Sequence, residues 1–383
     1  MVSSATPTPA DQNAVETGVH DPGTTALALR DHDAVDAGAP TPSTALALRP
    51  EPITGFVPGY PYTGGVGGGV GKYLWPDGSV FEGEWKGSKQ ERVQEGRGTM
   101  RSADSSKYEG EWKAGLYDGR GVYTFSDGSV YDGDWRADRQ EGAGVFRGAD
   151  GSLYEGEFSE GMYHGRGTMT FPNASAVYHG EFKGGLQDGS GSVQYANGDS
   201  YEGEWRAGVK EGHGLKRDAD GSFYEGQFHA GKMEGRGTYR YADGGVYEGE
   251  WVANQKEGRG TERDAAGAVY EGEFKVDEKE GRGVYRSRGG NTYEGEYKAG
   301  LKEGQGVYRF ASGTAYEGSW KADAKEGHGT YTFADGGAYV GEWRRDRQHG
   351  CGTRRYADGS VLEGTWKAGE HVPGTATSFC VIA

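Results

Sequence analysis

The feature that most limits what this chain can become is a period. Residues Tyr108 to Val130 read Tyr-Glu-Gly-Glu-Trp-Lys-Ala-Gly-Leu-Tyr-Asp-Gly-Arg-Gly-Val-Tyr-Thr-Phe-Ser-Asp-Gly-Ser-Val, and at Tyr131 the unit starts again. Its first tyrosine returns at Tyr154, Tyr178, Tyr201, Tyr224, Tyr247, Tyr270, Tyr293, Tyr316 and Tyr339, always 23 residues on except for one 24-residue step from Tyr154. An earlier copy opens at Phe81 and a worn one at Leu362. A fixed period of this size means stacked repeats, each burying its apolar side against its neighbours.

Within a unit the alternation has the two-residue period of a strand. Tyr108, Gly110 and Trp112 fall on one face and Glu109 and Glu111 on the other; Gly121, Tyr123 and Phe125 share a face in the second segment. Gly115 and Gly119 are expected to shape the hairpin loop, and Asp127-Gly128 is a favoured turn pair leading to the next repeat. Glycines inside strands, Gly110 and Gly121, make room for neighbouring rings. The expected fold is all-β, an elongated single-layer antiparallel sheet of about thirteen hairpins, of order 120 Å long at ~4.8 Å per strand. Such a sheet has two open end strands, which point to a homodimer.

Composition agrees with a thin aromatic sheet. Glycine supplies 73 of 383 residues and tyrosine 25, so a thick aliphatic core is excluded. The net charge of −16 argues against nucleic acid as a partner. Two cysteines, Cys351 and Cys380, make no disulfide framework and fit a reducing compartment, with Cys351 expected as an incidental exposed thiol. Neither a secretory signal nor an apolar run of transmembrane length is visible.

The chain divides into an acidic Ala/Thr/Pro-rich tail over 1–56, expected to be disordered; a Gly-rich degenerate half-repeat over 57–80; the array over 81–369; and a flexible tail over 370–383. The Gly-rich run ending at Lys72 is not a phosphate loop, because Val66 and Tyr73 stand where that pattern needs Gly and Ser or Thr.

The unit Tyr-Glu-Gly-Glu-Trp, followed by a loop, Gly-x-Gly and Asp-Gly, resembles the MORN repeat over roughly residues 69–369. The resemblance implies a scaffold for proteins, a dimerisation element, or a module near membranes. Lys72 to Trp85 looks like the arrays of plant phosphatidylinositol-phosphate kinases, but no kinase domain follows, so that activity is not carried over.

No enzyme chemistry, cofactor or metal is expected. The carboxylate pairs Glu109/Glu111, Glu202/Glu204, Glu248/Glu250 and Glu271/Glu273 are identical and repeated, unlike an acid and a base in differing environments. They are expected to face Arg120, Arg166, Arg236, Arg259 and Arg282, with Arg147, Arg217, Arg240, Arg263, Arg286 and Arg309 beside them. The arginines from Arg217 to Arg309 also form a candidate phosphoinositide stripe. His164, His213, His328 and His349 are too dispersed to converge on a metal.

The candidate interaction face consists of the aromatics Tyr108, Trp112, Tyr123, Phe125, Tyr131, Trp135, Tyr201, Trp205, Tyr247, Trp251, Tyr293, Tyr316, Trp320, Tyr339 and Trp343. The chain ends outside the repeat, in Cys380-Val381-Ile382-Ala383, a C-a-a-X box whose terminal Ala favours farnesyl on Cys380. One lipid anchors weakly, and no polybasic run precedes Cys380, whereas a dimer would carry two. The favoured function is a non-enzymatic scaffold for protein partners, peripheral on the cytoplasmic face of a membrane. The alternatives are a cytoskeletal or ciliary structural protein and a regulatory subunit of a separate enzyme.

Overall fold

The computed structural model describes residues 69–88 and 92–373. The tail over 1–56 and the box at Cys380 lie outside the described residues. Those described fall into two units that divide at Ala242/Asp243. The first holds fifteen strands, Gly69–Leu74 to Lys232–Arg240, and the second twelve, Val246–Val252 to Glu370–Val372. Within each unit the strands run antiparallel in sequence order as hairpins, which is the expected all-β hairpin array. Among the described residues no helix is long and apolar enough to cross a membrane.

One hairpin shows why the sequence folds this way. Strand Lys107–Lys113 pairs with Leu116–Thr124, joined by Ala114 and Gly115 alone, whose φ angles are +50° and +81°. Two successive positive φ values make the two-residue turn that matches the right-handed twist of strands. The loop is therefore shorter than the glycines suggest. Gly119 (φ +103°) lies inside the second strand, at a β-bulge where the register slips between Gly110 and Trp112.

The first turn position is Ala in most repeats, and Val276 takes it at φ +50° with its side chain 54% exposed. A β-branched residue there is strained and makes no burial that offsets the strain. Val276→Asn is expected to raise stability by about 1 kcal/mol, read as a higher melting midpoint; an unchanged or lower midpoint would refute the strain.

The bulge leaves the Glu111 carbonyl outside the ladder, and the Tyr108 hydroxyl donates to it at 2.8 Å. The same bond recurs from Tyr131 to Asp134, Tyr201 to Glu204 and Tyr293 to Glu296. Burial pushes these phenols above their ordinary pKa, so they remain donors across the ordinary pH range. Tyr293→Phe should cost about 1–2 kcal/mol in denaturant unfolding, the cost of orphaning one carbonyl.

At the opposite edge Gly128 closes its turn by donating to the Phe125 carbonyl at 3.0 Å, and Asp127 accepts from the Ser129 amide at 2.8 Å. The 24-residue step is located here. The Phe171 amide donates to the Ala176 carbonyl, five residues on instead of four, and the extra residue is absorbed in a 3-10 turn, Pro172–Ala174.

Besides the bulge glycines, a second set in mid-strand faces one another across the ladder. In the first unit Gly98, Gly110, Gly121, Gly133 and Gly144 are paired in succession; in the second, Gly272, Gly283, Gly295, Gly306 and Gly318. Each repeat's tyrosine ring lies flat on this floor, so a Cβ at Gly121 would stand 2.5 Å from Tyr108 Cζ. That is the physical reason glycine sits where it normally weakens a sheet.

Candidate interaction surfaces

The aromatic face is the core. Tyr108 has three neighbours: Trp112 at 5.3 Å, Trp135 of the next repeat at 5.5 Å, both edge-on, and Tyr117 stacked at 3.8 Å. Offset and edge-on packing of this kind suits aromatic quadrupoles. Of the rings expected to form an interaction face, Tyr108, Tyr131, Tyr247, Tyr293, Tyr316 and Tyr339 have no exposed surface. Tyr201, Trp251, Trp112, Trp135, Trp205, Trp320 and Trp343 expose 1–6%, and Phe125 9%. Only Tyr123 is half-buried. Rings that cover one another across repeats leave little for a partner to cover. What this side presents outward is the half-buried second-strand position, Tyr123, Tyr285 and Tyr331.

Sequence reading missed a second core row. Tyr117 and Tyr163 are buried because the segment read as loop is strand. The equivalent residue is Gln140 or Gln187 in other early repeats and Lys210, Lys256, Lys279, Lys302 and Lys325 in later ones, positions a strict count of the 23-residue period would have aligned. The lysine ammoniums rest against rings: Lys279 lies 5.2 Å from the Tyr270 centroid and 5.3 Å from Tyr285, and Lys325 lies 4.9 Å from Tyr331 and 5.1 Å from Trp343. Cation–π attraction of about 1–2 kcal/mol helps offset the desolvation of each.

The charged face is mostly committed to structure. The second carboxylate of each pair reaches over the bulge glycine: Glu204 accepts from the His213 amide at 3.0 Å, Glu296 from Gln305 at 3.2 Å and Glu342 from Cys351 at 3.0 Å. A further acid clips repeat to repeat by accepting from the strained turn of the next hairpin, as Glu95 does from Ala114 at 3.0 Å and Glu303 from Ala322 at 2.9 Å. The Ala114 bond, aided by Lys86, holds Glu95 below its ordinary pKa of 4.5. With the folded-state pKa depressed, the stability it contributes is present above pH 4.5 and lost as pH falls through the lowered value. Melting midpoints should be flat from pH 7 to about pH 5 and decline below it; a fall beginning near pH 6 would exclude these carboxylates as the cause.

The expected Glu–Arg pairing is found in places. Arg120 approaches Asp132 at 3.4 Å and Asp134 at 3.5 Å, and Arg286 approaches Glu271 at 2.9 Å. These pairs are exposed and individually weak. Cys351, expected as an exposed thiol, is half-buried and disulfide-bonded.

The sequence profile of the MORN repeat matches residues 62–80, 108–130, 131–153, 154–175 and 178–200, then consecutive 23-residue blocks from 201–223 to 339–361. The chain belongs to the MORN-repeat family. This MORN chain also forms a hairpin where the profile is silent, strands Val80–Gly87 and Arg92–Arg101 being paired. No curated protein matches it significantly.

Among solved structures it is similar to the TCP domain of Drosophila melanogaster SAS-4 (dCPAP) in complex with a proline-rich motif of Ana2 (dSTIL), at 13% identity and TM-score 0.28, covering 47% of this chain and 90% of that one. The wild-type TCP10 domain of Danio rerio CPAP follows at 10% identity and TM-score 0.24, covering 64% and 99%. A streptogramin B lyase is similar at 12% identity and TM-score 0.13, covering 77% and 81%. At these TM-scores the likeness says nothing about partners.

Proposed function

We propose that the protein is a non-enzymatic scaffold that docks protein partners along its MORN sheet and is held reversibly on the cytoplasmic face of a membrane by a farnesyl group on Cys380. The observation that supports the scaffold is the assignment of the repeated side chains: rings fill the core, the second carboxylate of each pair holds a bulge, and a further acid holds the turn of the next hairpin. Repeated docking positions then remain on a stiff surface, which is what a MORN array offers. The half-buried Tyr123, Tyr285 and Tyr331 give the aromatic side its accessible ring edges.

The lipid reading rests on the terminal Cys380-Val381-Ile382-Ala383. It requires Cys380 as a thiol, so it belongs to a reducing compartment, where a disulfide at Cys351 would not persist. One chain anchors marginally, and a homodimer through open end strands would double the lipids. The exposed arginines Arg217, Arg240, Arg263, Arg286 and Arg309 would add contacts to phosphoinositide headgroups.

The test is a fractionation of the tagged full chain and its Cys380→Ser variant, with a mass spectrum of the mature C-terminus. Expected are a farnesylated end lacking Val381 to Ala383 and a loss of most membrane-bound protein in the variant. Equal membrane association of both proteins would sink the tether and leave the scaffold to be judged by whether the variant still captures the same partners.

A further inference from the structure

We propose that the charged face of the second unit is a docking track for a cationic polyproline-II segment of a partner protein, an inference that rests on the scaffold reading and names the chemistry of what is scaffolded. Across the strands exposed glutamates alternate with half-buried valines, Glu271, Val284, Glu294, Val307, Glu317, each paired with the next in the ladder. Beside this row runs the floor of paired glycines, and on its far side stand Arg282, Glu296 and Gln305, enclosing a cleft of about 470 Å³. Glu271 is matched by Arg286 at 2.9 Å, whereas Glu294 and Glu317 are exposed and take no part in the ion pairs of the described residues. With four carboxylates against Arg282 in the lining and Arg286 on Glu271, the cleft remains anionic, and its complement is basic.

The spacing selects the conformation. Carboxylates recur every second strand, about 9.6 Å apart. A polyproline-II helix repeats every three residues, about 9.3 Å, with one side chain per turn on the same side. An α-helix returns a side chain to one side after seven residues, about 10.5 Å. Over the two intervals from Glu271 to Glu317 the polyproline helix drifts about 0.6 Å from the carboxylates and the α-helix about 1.8 Å, so the polyproline helix keeps the closer register. Arginine or lysine at every third position meets the glutamates, and proline rings between them rest on Val284 and Val307. The chain's own proline-rich tail over 1–56 is the wrong occupant, since its seven acids against two arginines leave −5.

The experiment is fluorescence anisotropy of the full chain with a labelled (Arg-Pro-Pro)5 peptide. A second peptide of identical composition has its arginines clustered at one end, and a third is a helical peptide with arginine every seventh residue. The expected result is binding of the first at least about tenfold tighter than of the other two, with a further loss of about tenfold for Glu294→Gln/Glu317→Gln. Circular dichroism melts of that exposed-face variant confirm it is folded. Equal affinity for the clustered peptide, tighter binding of the helical one, or no effect of the double substitution would each overturn the proposal. The scaffold reading fails separately, if the unsubstituted full chain captures no protein partner at all.

Discussion

Gly283→Val is expected to cost at least about 3 kcal/mol, more than any surface change in the array. Gly283 is paired with Gly272 on one side and Gly295 on the other, and an added Cβ would stand 2.5 Å from Tyr270 Cζ. The ring cannot move away, because Phe274 and Tyr297 hold it edge-on at 5.1 Å each and its hydroxyl is bound to the Glu273 carbonyl at 3.0 Å. Overpacking a filled site by one or two methylenes costs about 1–3 kcal/mol, and valine adds three carbons against a rigid ring. The loss should be local, because each repeat touches only its neighbours. Hydrogen exchange should therefore speed up in strands Val269–Lys275, Glu278–Arg286 and Thr292–Lys298 and stay unchanged in Lys107–Lys113. A melt matching the unsubstituted chain would show that the ring can leave the glycine floor.

The 23-residue spacing of the tyrosines was enough for the hairpin array, because a period is a property of the whole stack and needs no local geometry. Ala114-Gly115 and Val276-Asp277 were not recognisable as tight turns, since alanine and valine rarely take positive φ; tertiary clips from Glu95 to Ala114 and from Glu257 to Val276 hold them there. Gly119 looked like loop because Leu116 to Arg120 lacks clean alternation. The bulge that disrupts the alternation also turns Tyr117 into the core.

The aromatic face looked sticky because alternation shows which side a ring is on and not whether its neighbours cover it. Coverage depends on Trp135 of one repeat lying against Tyr108 of the one before, a contact 27 residues apart in sequence. The charged face was legible as polar, yet the sorting of its carboxylates was not. Glu296 is engaged by the Gln305 amide, whereas Glu294, two residues earlier, carries no such bond among the described residues. That difference is set by the bulge.

Trp320→Ala tests whether the aromatic stack is coupled repeat by repeat. The indole is 6% exposed, lies edge-on to Tyr316 of its own repeat at 5.2 Å and to Tyr293 of the previous one at 5.4 Å, and donates from Nε1 to the Gly306 carbonyl at 3.1 Å. Truncation removes all three contacts and leaves a void, for an expected loss of about 3–5 kcal/mol. Trp320→Phe should cost far less, since Phe158, Phe182, Phe228 and Phe274 occupy the same place in other repeats. If stability is a sum of nearest-neighbour terms, pairing Trp320→Ala with Tyr293→Leu should give an interaction energy of about 0.5–3 kcal/mol. Pairing it with Tyr201→Leu, five repeats earlier in sequence, should give additive effects within about 0.5 kcal/mol. Strong coupling in the second cycle would mean that the array melts as one body. Additivity would mean that a scaffold of this kind can lose one repeat while the carboxylate track on others stays intact for its partner.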